Sequence, residues 1–191
     1  MLESKQITIV SGLPRSGTSL MMQMLHAGGM EAVTDGQRTA DTDNPRGYFE
    51  FERAKKIKTD RAWLDDAQGR CVKMVHLLLL DLPMDRPYAV VFMRRDLNEV
   101  VKSQAVMLQR SGKTGAALPA EKLMAMYKDQ IDKVLAFAKG KPNVRVLEVN
   151  YNTLVKEPAR VAAEVGSFVG GGLNEHAMAA AVDPTLYRNR G

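Results

Sequence analysis

The segment from Ile7 to Leu25 constrains this chain most. Ile7-Thr8-Ile9-Val10 is an apolar, β-branched run that leads through Ser11 into Gly12. Leu13-Pro14-Arg15-Ser16 follows, then Gly17, the hydroxyl pair Thr18-Ser19, and the apolar run Leu20-Met21-Met22-Gln23-Met24-Leu25. β-branched runs favour strands and glycines punctuate turns, so the stretch reads strand, tight loop, helix. The spacing is that of the phosphate-cradling pattern G-x-x-x-x-G-K-[ST], with Thr18 where the lysine belongs. That lysine normally reaches the β- and γ-phosphates of a nucleoside triphosphate. A loop that keeps the cradle without the lysine points to a different phosphorylated ligand.

The physics of such a loop is simple. The first amides of a helix have no intrahelical acceptor, and the helix dipole places partial positive charge there, so an anion is the natural occupant. Gly12 and Gly17 permit backbone angles and close approaches that a side chain would block. Pro14 stiffens the loop, and Arg15 offers a planar fork of donors at its tip. Ser16, Thr18 and Ser19 add hydroxyls.

Composition narrows the partners. The chain has 191 residues, 45% hydrophobic and 26% charged, which suits a single globular domain over 1–191. The net charge of +5 is mild and fits an anionic small ligand. No dense Lys/Arg run with interleaved aromatics occurs, so nucleic acid is not an expected partner. One cysteine, Cys71, excludes an internal disulfide and suits a reducing, cytoplasmic setting; it is expected to begin a buried strand. The start, Met1-Leu2-Glu3-Ser4-Lys5, runs into the first strand without a signal-peptide pattern, and no apolar run is long enough for a membrane span. Zinc-type Cys/His spacing is absent, and no metal is expected.

Apolar runs alternate with helical patterns along the chain, as in α/β proteins with crossover helices. Strands are expected at 6–11, 70–75, 88–93 and 144–149. Helices are expected at 17–27, 96–109, 119–139, 158–169 and 174–181, with one or two short ones in 51–67. Asp96 is the expected N-cap of the 96–109 segment, with Glu99 completing a capping box. Residues 33–48 and 111–115 read as loops, the first long enough to be functional. Trp63 is expected to anchor the 51–67 segment, His26 to face the dipole at the end of the first helix, and the methionines to fill the core.

A second anion site follows the strand at 88–93. Arg94 and Arg95 stand at its carboxyl end, where ligands of open α/β sheets bind, and Ser103 lies two turns into the next helix. Together with the loop at Gly12 this resembles the sulfotransferase family, whose donor is 3'-phosphoadenosine 5'-phosphosulfate. In that family a loop similar to Leu13-Pro14-Arg15-Ser16-Gly17-Thr18-Ser19 binds the 5'-phosphosulfate, and an arginine with a serine eight residues on binds the 3'-phosphate. Arg95 and Ser103 have that separation. Val146 to Leu154, with Glu157-Pro158 and Ala163 to Gly170, is similar to the family's late strand, tyrosine turn and helix, with Asn152 where an acidic residue is usual. The resemblance spans about 6 to 170 and implies a three-layer, P-loop NTPase-like α/β fold, its mainly parallel central sheet flanked by helices.

The resemblance further implies transfer of a sulfuryl group to a hydroxyl or amine of a small-molecule, glycan or peptide acceptor. Arg15 and the loop amides would stabilise charge developing on the 5'-phosphate. A general base must lie within reach of the acceptor, and two residues qualify. His76, near Leu82-Pro83, is similar in offset to the base histidine of cytosolic members, although Lys73 precedes it by three residues rather than two. Glu50 stands where some branches place a glutamate, and is preferred. Arg188 and Arg190 could replace the C-terminal clamp that longer members close on the 3'-phosphate. Two other readings stay open: a P-loop kinase, which Thr18 argues against, and a nucleotide-binding protein without catalysis.

Overall fold

A computed structural model of the chain describes residues 6–37, 47–110 and 118–183. Four parallel strands form one sheet: β1 Ile7–Gly12, β2 Cys71–Val75, β3 Tyr88–Arg94 and β4 Val144–Asn150, in the order β2-β1-β3-β4. Every strand lies within two residues of its expected span. The helices are α1 Thr18–Ala27, α2 Trp63–Asp66, α3 Leu97–Arg110, α4 Ala120–Lys139, α5 Tyr151–Lys156, α6 Pro158–Phe168 and α7 Glu175–Ala180.

Strand alternation explains the three layers. Ile7 and Ile9 of β1 and Val90 and Phe92 of β3 face one way, into a core with Val72, Met74 and the α4 residues Tyr127, Ile131 and Val134. Val10 and Val91 face the other way, onto Met21, Met24 and Leu25 of α1 and Val161 and Val165 of α6. β1 and β3 are buried on both faces, which is why they lack polar alternation. β4 is an edge strand with exposed Arg145 and Glu148. The methionines of α1 are fully buried filler, as expected.

The local features bear out two expectations and differ from one. The 51–67 segment holds two short helices as expected, a 3-10 turn, Glu52–Lys56, and the four-residue α2. β2 ends at Val75 as expected, and residues His76–Asp81 form a second 3-10 turn. A short helix, α5, occupies the expected tyrosine turn, because the Asn150 side chain accepts from the amides of Asn152 and Thr153 and caps it.

The chain leaves β1 for β2 on one side and then crosses to β3 on the other. A crevice therefore opens between the carboxyl ends of β1 and β3, the place where open α/β sheets bind ligands. The stretch from the end of β1 into α1 carries Gly12 to Ser19 and the turn after β3 carries Arg95, so topology alone brings the two expected anion sites to one spot.

Trp63 secures the 51–67 segment against the core on the α4 side of the sheet. It is 2% exposed, meets Phe51 edge-on at 5.4 Å, and donates its indole N–H to the Asp60 carbonyl. Trp63→Ala is expected to lower unfolding free energy by about 3–5 kcal/mol in urea titration. A loss below about 1 kcal/mol would mean that the segment packs independently of this ring.

Candidate active site

The loop between β1 and α1 is shaped by close packing. A Cβ on Gly12 would stand 2.6 Å from Ser16 Oγ and 2.8 Å from the Met93 carbonyl, and one on Gly17 would stand 2.4 Å from the Tyr151 ring. Gly17 also has φ of 100°, a left-handed conformation that lets the chain enter α1. It gives α1 no side-chain cap, so the first helical amides keep their capacity for an external acceptor. Ser16 braces the loop from within: it is 1% exposed and its hydroxyl donates to the Leu13 carbonyl at 2.7 Å.

Arg15, at the tip, has φ of 70°. That conformation costs a non-glycine residue on the order of 1–3 kcal/mol and persists where neighbours hold it. Two contacts do so. Arg15 Nε donates to Ser103 Oγ at 2.9 Å, and Arg95 Nη1 donates to the Arg15 carbonyl at 3.0 Å.

Arg95 is itself anchored. Its Nε meets Glu99 Oε2 at 2.8 Å, with both side chains under a tenth exposed, and its guanidinium stacks over the Tyr151 ring at 4.4 Å. Asn152 Nδ2 donates to the other Glu99 oxygen at 3.3 Å. Asp96 caps α3 as expected, accepting from the Asn98 and Glu99 amides, while the Glu99 carboxylate turns to Arg95 and Asn152. Arg94 points elsewhere: it meets Glu148 on the surface at 2.6 Å, which sets it apart from Arg95.

A family model described as "Sulfotransferase domain" matches residues 5–189. The chain belongs to this family. It is a sulfotransferase enzyme. Solved structures repeat the fold. The sulfotransferase domain from the Synechococcus PCC 7002 olefin synthase aligns at a TM-score of 0.58 and 16% identity, over 97% of this chain and 87% of that one. The sulfotransferase domain from the curacin biosynthetic pathway gives 0.55 and 14%, over 95% and 89%. A retinol dehydratase crystallised with androsterone and the inactive cofactor PAP gives 0.55 and 15%, over 95% of this chain and 64% of that one. A search of curated proteins gives no match.

Both candidate bases of the sulfotransferase flank the loop. Glu50 lies on the α1 side, 17% exposed, between Lys55 at 3.3 Å and Lys73 at 3.8 Å. His76 follows β2 and is 3% exposed, with its Nε2 at 2.9 Å from Gln130 Oε1 of α4. Burial pulls its pKa below the ordinary histidine value, against opposing contacts from Gln130 and the Gly12 backbone. Cys71 is buried at the start of β2, and burial pushes its thiol up to about 12, far from a reactive thiolate. Thr18 is half-buried in the first turn of α1. Arg188 and Arg190, and the 38–46 part of the expected functional loop, lie outside the described residues. No helix among the described residues is long and apolar enough to cross a membrane.

Sequence reasoning missed three parts of this arrangement. The Arg95–Glu99 pair was available as an i,i+4 spacing. Lys73 was available from strand alternation, since Cys71 on the same face packs against α1. The left-handed Arg15 had no signal, because its conformation is imposed from β3 and α3.

Two outcomes follow. Glu99→Ala leaves a buried guanidinium without its carboxylate and is expected to cost about 3–5 kcal/mol in urea titration. Glu148→Ala, at the surface pair with Arg94, is expected to cost no more than about 1 kcal/mol; equal losses would contradict this ranking. For His76, the depressed folded pKa means that the unfolded chain binds the extra proton first. Stability is full above the ordinary histidine value of 6.5 and falls as pH drops through it toward the folded pKa. His76→Gln is expected to flatten the stability profile in that window, and an unchanged slope in guanidinium titrations at several pH values would count against it.

Proposed function

We propose that this sulfotransferase takes its sulfuryl group from 3'-phosphoadenosine 5'-phosphosulfate and passes it to a hydroxyl or amine of a small-molecule acceptor. The observation that carries the reading is the uncapped start of α1 with the Arg15 guanidinium held beside it by Ser103. The donor set fits a phosphosulfate: amides and a guanidinium for the anion, glycines where the backbone must stay bare, and threonine in place of the triphosphate-binding lysine. The retinol dehydratase complex, with its PAP and androsterone, supports the same donor and acceptor classes.

Bound there, the donor brings a sulfur–oxygen bond whose cleavage places negative charge on the 5'-phosphate. The loop amides hold that phosphate and Arg15 stabilises the charge. Ser103 accepts from Arg15 and keeps a hydroxyl proton for the nucleotide's 3'-phosphate. Arg95 serves this end of the site both as a cation and by holding the Arg15 carbonyl. Arg188 and Arg190 are assigned to the same phosphate as a short tail. Glu50 receives the acceptor's proton, with His76 the alternative. The reaction needs no metal, and a cytoplasmic setting completes the proposal.

Calorimetry tests it. Adenosine 3',5'-bisphosphate is expected to bind more tightly than ATP with Mg2+, and Arg15→Ala to lower turnover by about 10²–10³. Glu50→Gln is expected to reduce kcat more than His76→Ala does. Tight Mg2+-dependent ATP binding would favour a kinase, and bisphosphate binding without transfer to any acceptor would favour a non-catalytic protein.

A further inference from the structure

Among the described residues, two that are not glycine have positive φ: Arg15, at the loop tip, and Phe49, with φ of 51°. A bulky side chain rarely takes that conformation, and it persists where neighbours hold it. Phe49 directly precedes Glu50, so its turn sets the direction in which Glu50 leaves the chain. The Phe49 ring packs against the core that contains α1 and lies 5.8 Å from the His26 ring in the last turn of that helix.

Glu50 is also held by its backbone. Residues 47–51 belong to no helix or strand, so no ladder fixes them. Instead the Glu50 carbonyl accepts from the Thr34 hydroxyl at 2.9 Å and from the Asp35 amide at 3.3 Å. The Glu52 amide, at the start of the 3-10 turn, donates to Asp35 Oδ2 at 2.7 Å and holds that carboxyl below its usual range. Thr34 and Asp35 are in turn tied to the sheet. The Val33 amide donates to the Cys71 carbonyl at 2.8 Å and the Cys71 amide to the Glu31 carbonyl at 2.9 Å, which sets 31–33 beside the start of β2. Thr34 itself is exposed and adds little to the core, yet its hydroxyl is committed to Glu50.

We propose that Thr34 is a positioning residue for Glu50: its hydroxyl fixes the Glu50 backbone and so aims the carboxylate at the acceptor's proton. The inference rests on the reading of Glu50 as the base and adds a residue which that reading does not use. A base works only within hydrogen-bond reach, and a misplacement of about 1 Å can cost on the order of a hundredfold in rate.

The test compares Thr34→Val, which keeps the shape and removes the hydroxyl, with Thr34→Ser, which keeps the hydroxyl. Turnover of 3'-phosphoadenosine 5'-phosphosulfate is measured with phenol, butanol, butylamine and water as acceptors, and calorimetry gives the affinity for adenosine 3',5'-bisphosphate. Thr34→Val is expected to lower kcat about fivefold or more and to leave bisphosphate affinity within about twofold. Thr34→Ser is expected to stay within about twofold of the native kcat. Thermal melting checks that Thr34→Val is folded, and Thr34→Ala replaces it if not. Three results overturn the inference: native turnover in Thr34→Val, a Thr34→Ser that falls as far as Thr34→Val, or a loss of affinity that matches the loss of turnover. Failure of the base reading shows separately, as native turnover in Glu50→Gln, and the inference then falls with it. A native chain that binds the bisphosphate but transfers to none of these acceptors has the same consequence before any variant is made.

Discussion

The buried ion pair between Arg95 and Glu99 is the interaction on which the rest of the site depends. It spans one turn at the start of α3, with both side chains nearly out of solvent. Such a pair is sustained only when its remaining hydrogen-bonding capacity is met, and here Asn152, the Tyr151 ring and the Arg15 carbonyl meet it. Through that carbonyl the pair holds the loop tip in a conformation the loop would not choose alone. Three elements are joined at one guanidinium: the loop after β1, the helix after β3, and the helix after β4.

The consequence is electrostatic preorganisation. Arg15 is strained, half-buried and aimed by Ser103, and the α1 amides beside it carry no cap. Cations and amides set before an anion arrives do not need to reorganise as its charge grows. The Gly17 Cβ position, filled by the Tyr151 ring, shows how closely the loop is backed from the β4 side. The same tyrosine supports both the glycine and the arginine, which couples the loop's shape to its charge.

Much of this was legible beforehand. The β-branched run at Ile7, the glycine pair and the hydroxyls imply strand, loop and helix without tertiary information. Alternation of apolar runs and helical patterns implies a parallel sheet, and the family resemblance picks out Arg95 and Ser103, two residues that the structure brings to the loop at Arg15. What escaped reading depends on contacts between distant segments. Lys73 looked misplaced when counted from His76, but strand alternation sets its direction and turns it toward Ser19. The left-handed Arg15 is a property of the assembled sheet and leaves no trace in local spacing.

The central claim is that one crevice between β1 and β3 holds a twice-phosphorylated adenosine, its 5'-phosphate on the α1 amides and its 3'-phosphate at Ser103 and Arg95. A crystal structure with adenosine 3',5'-bisphosphate bound tests this most directly. The account predicts the 5'-phosphate within hydrogen-bond distance of the amides of residues 15–19 and the 3'-phosphate within reach of the Ser103 hydroxyl. A nucleotide seated on another face, or an α1 start closed by a protein side chain in that crystal, would contradict it.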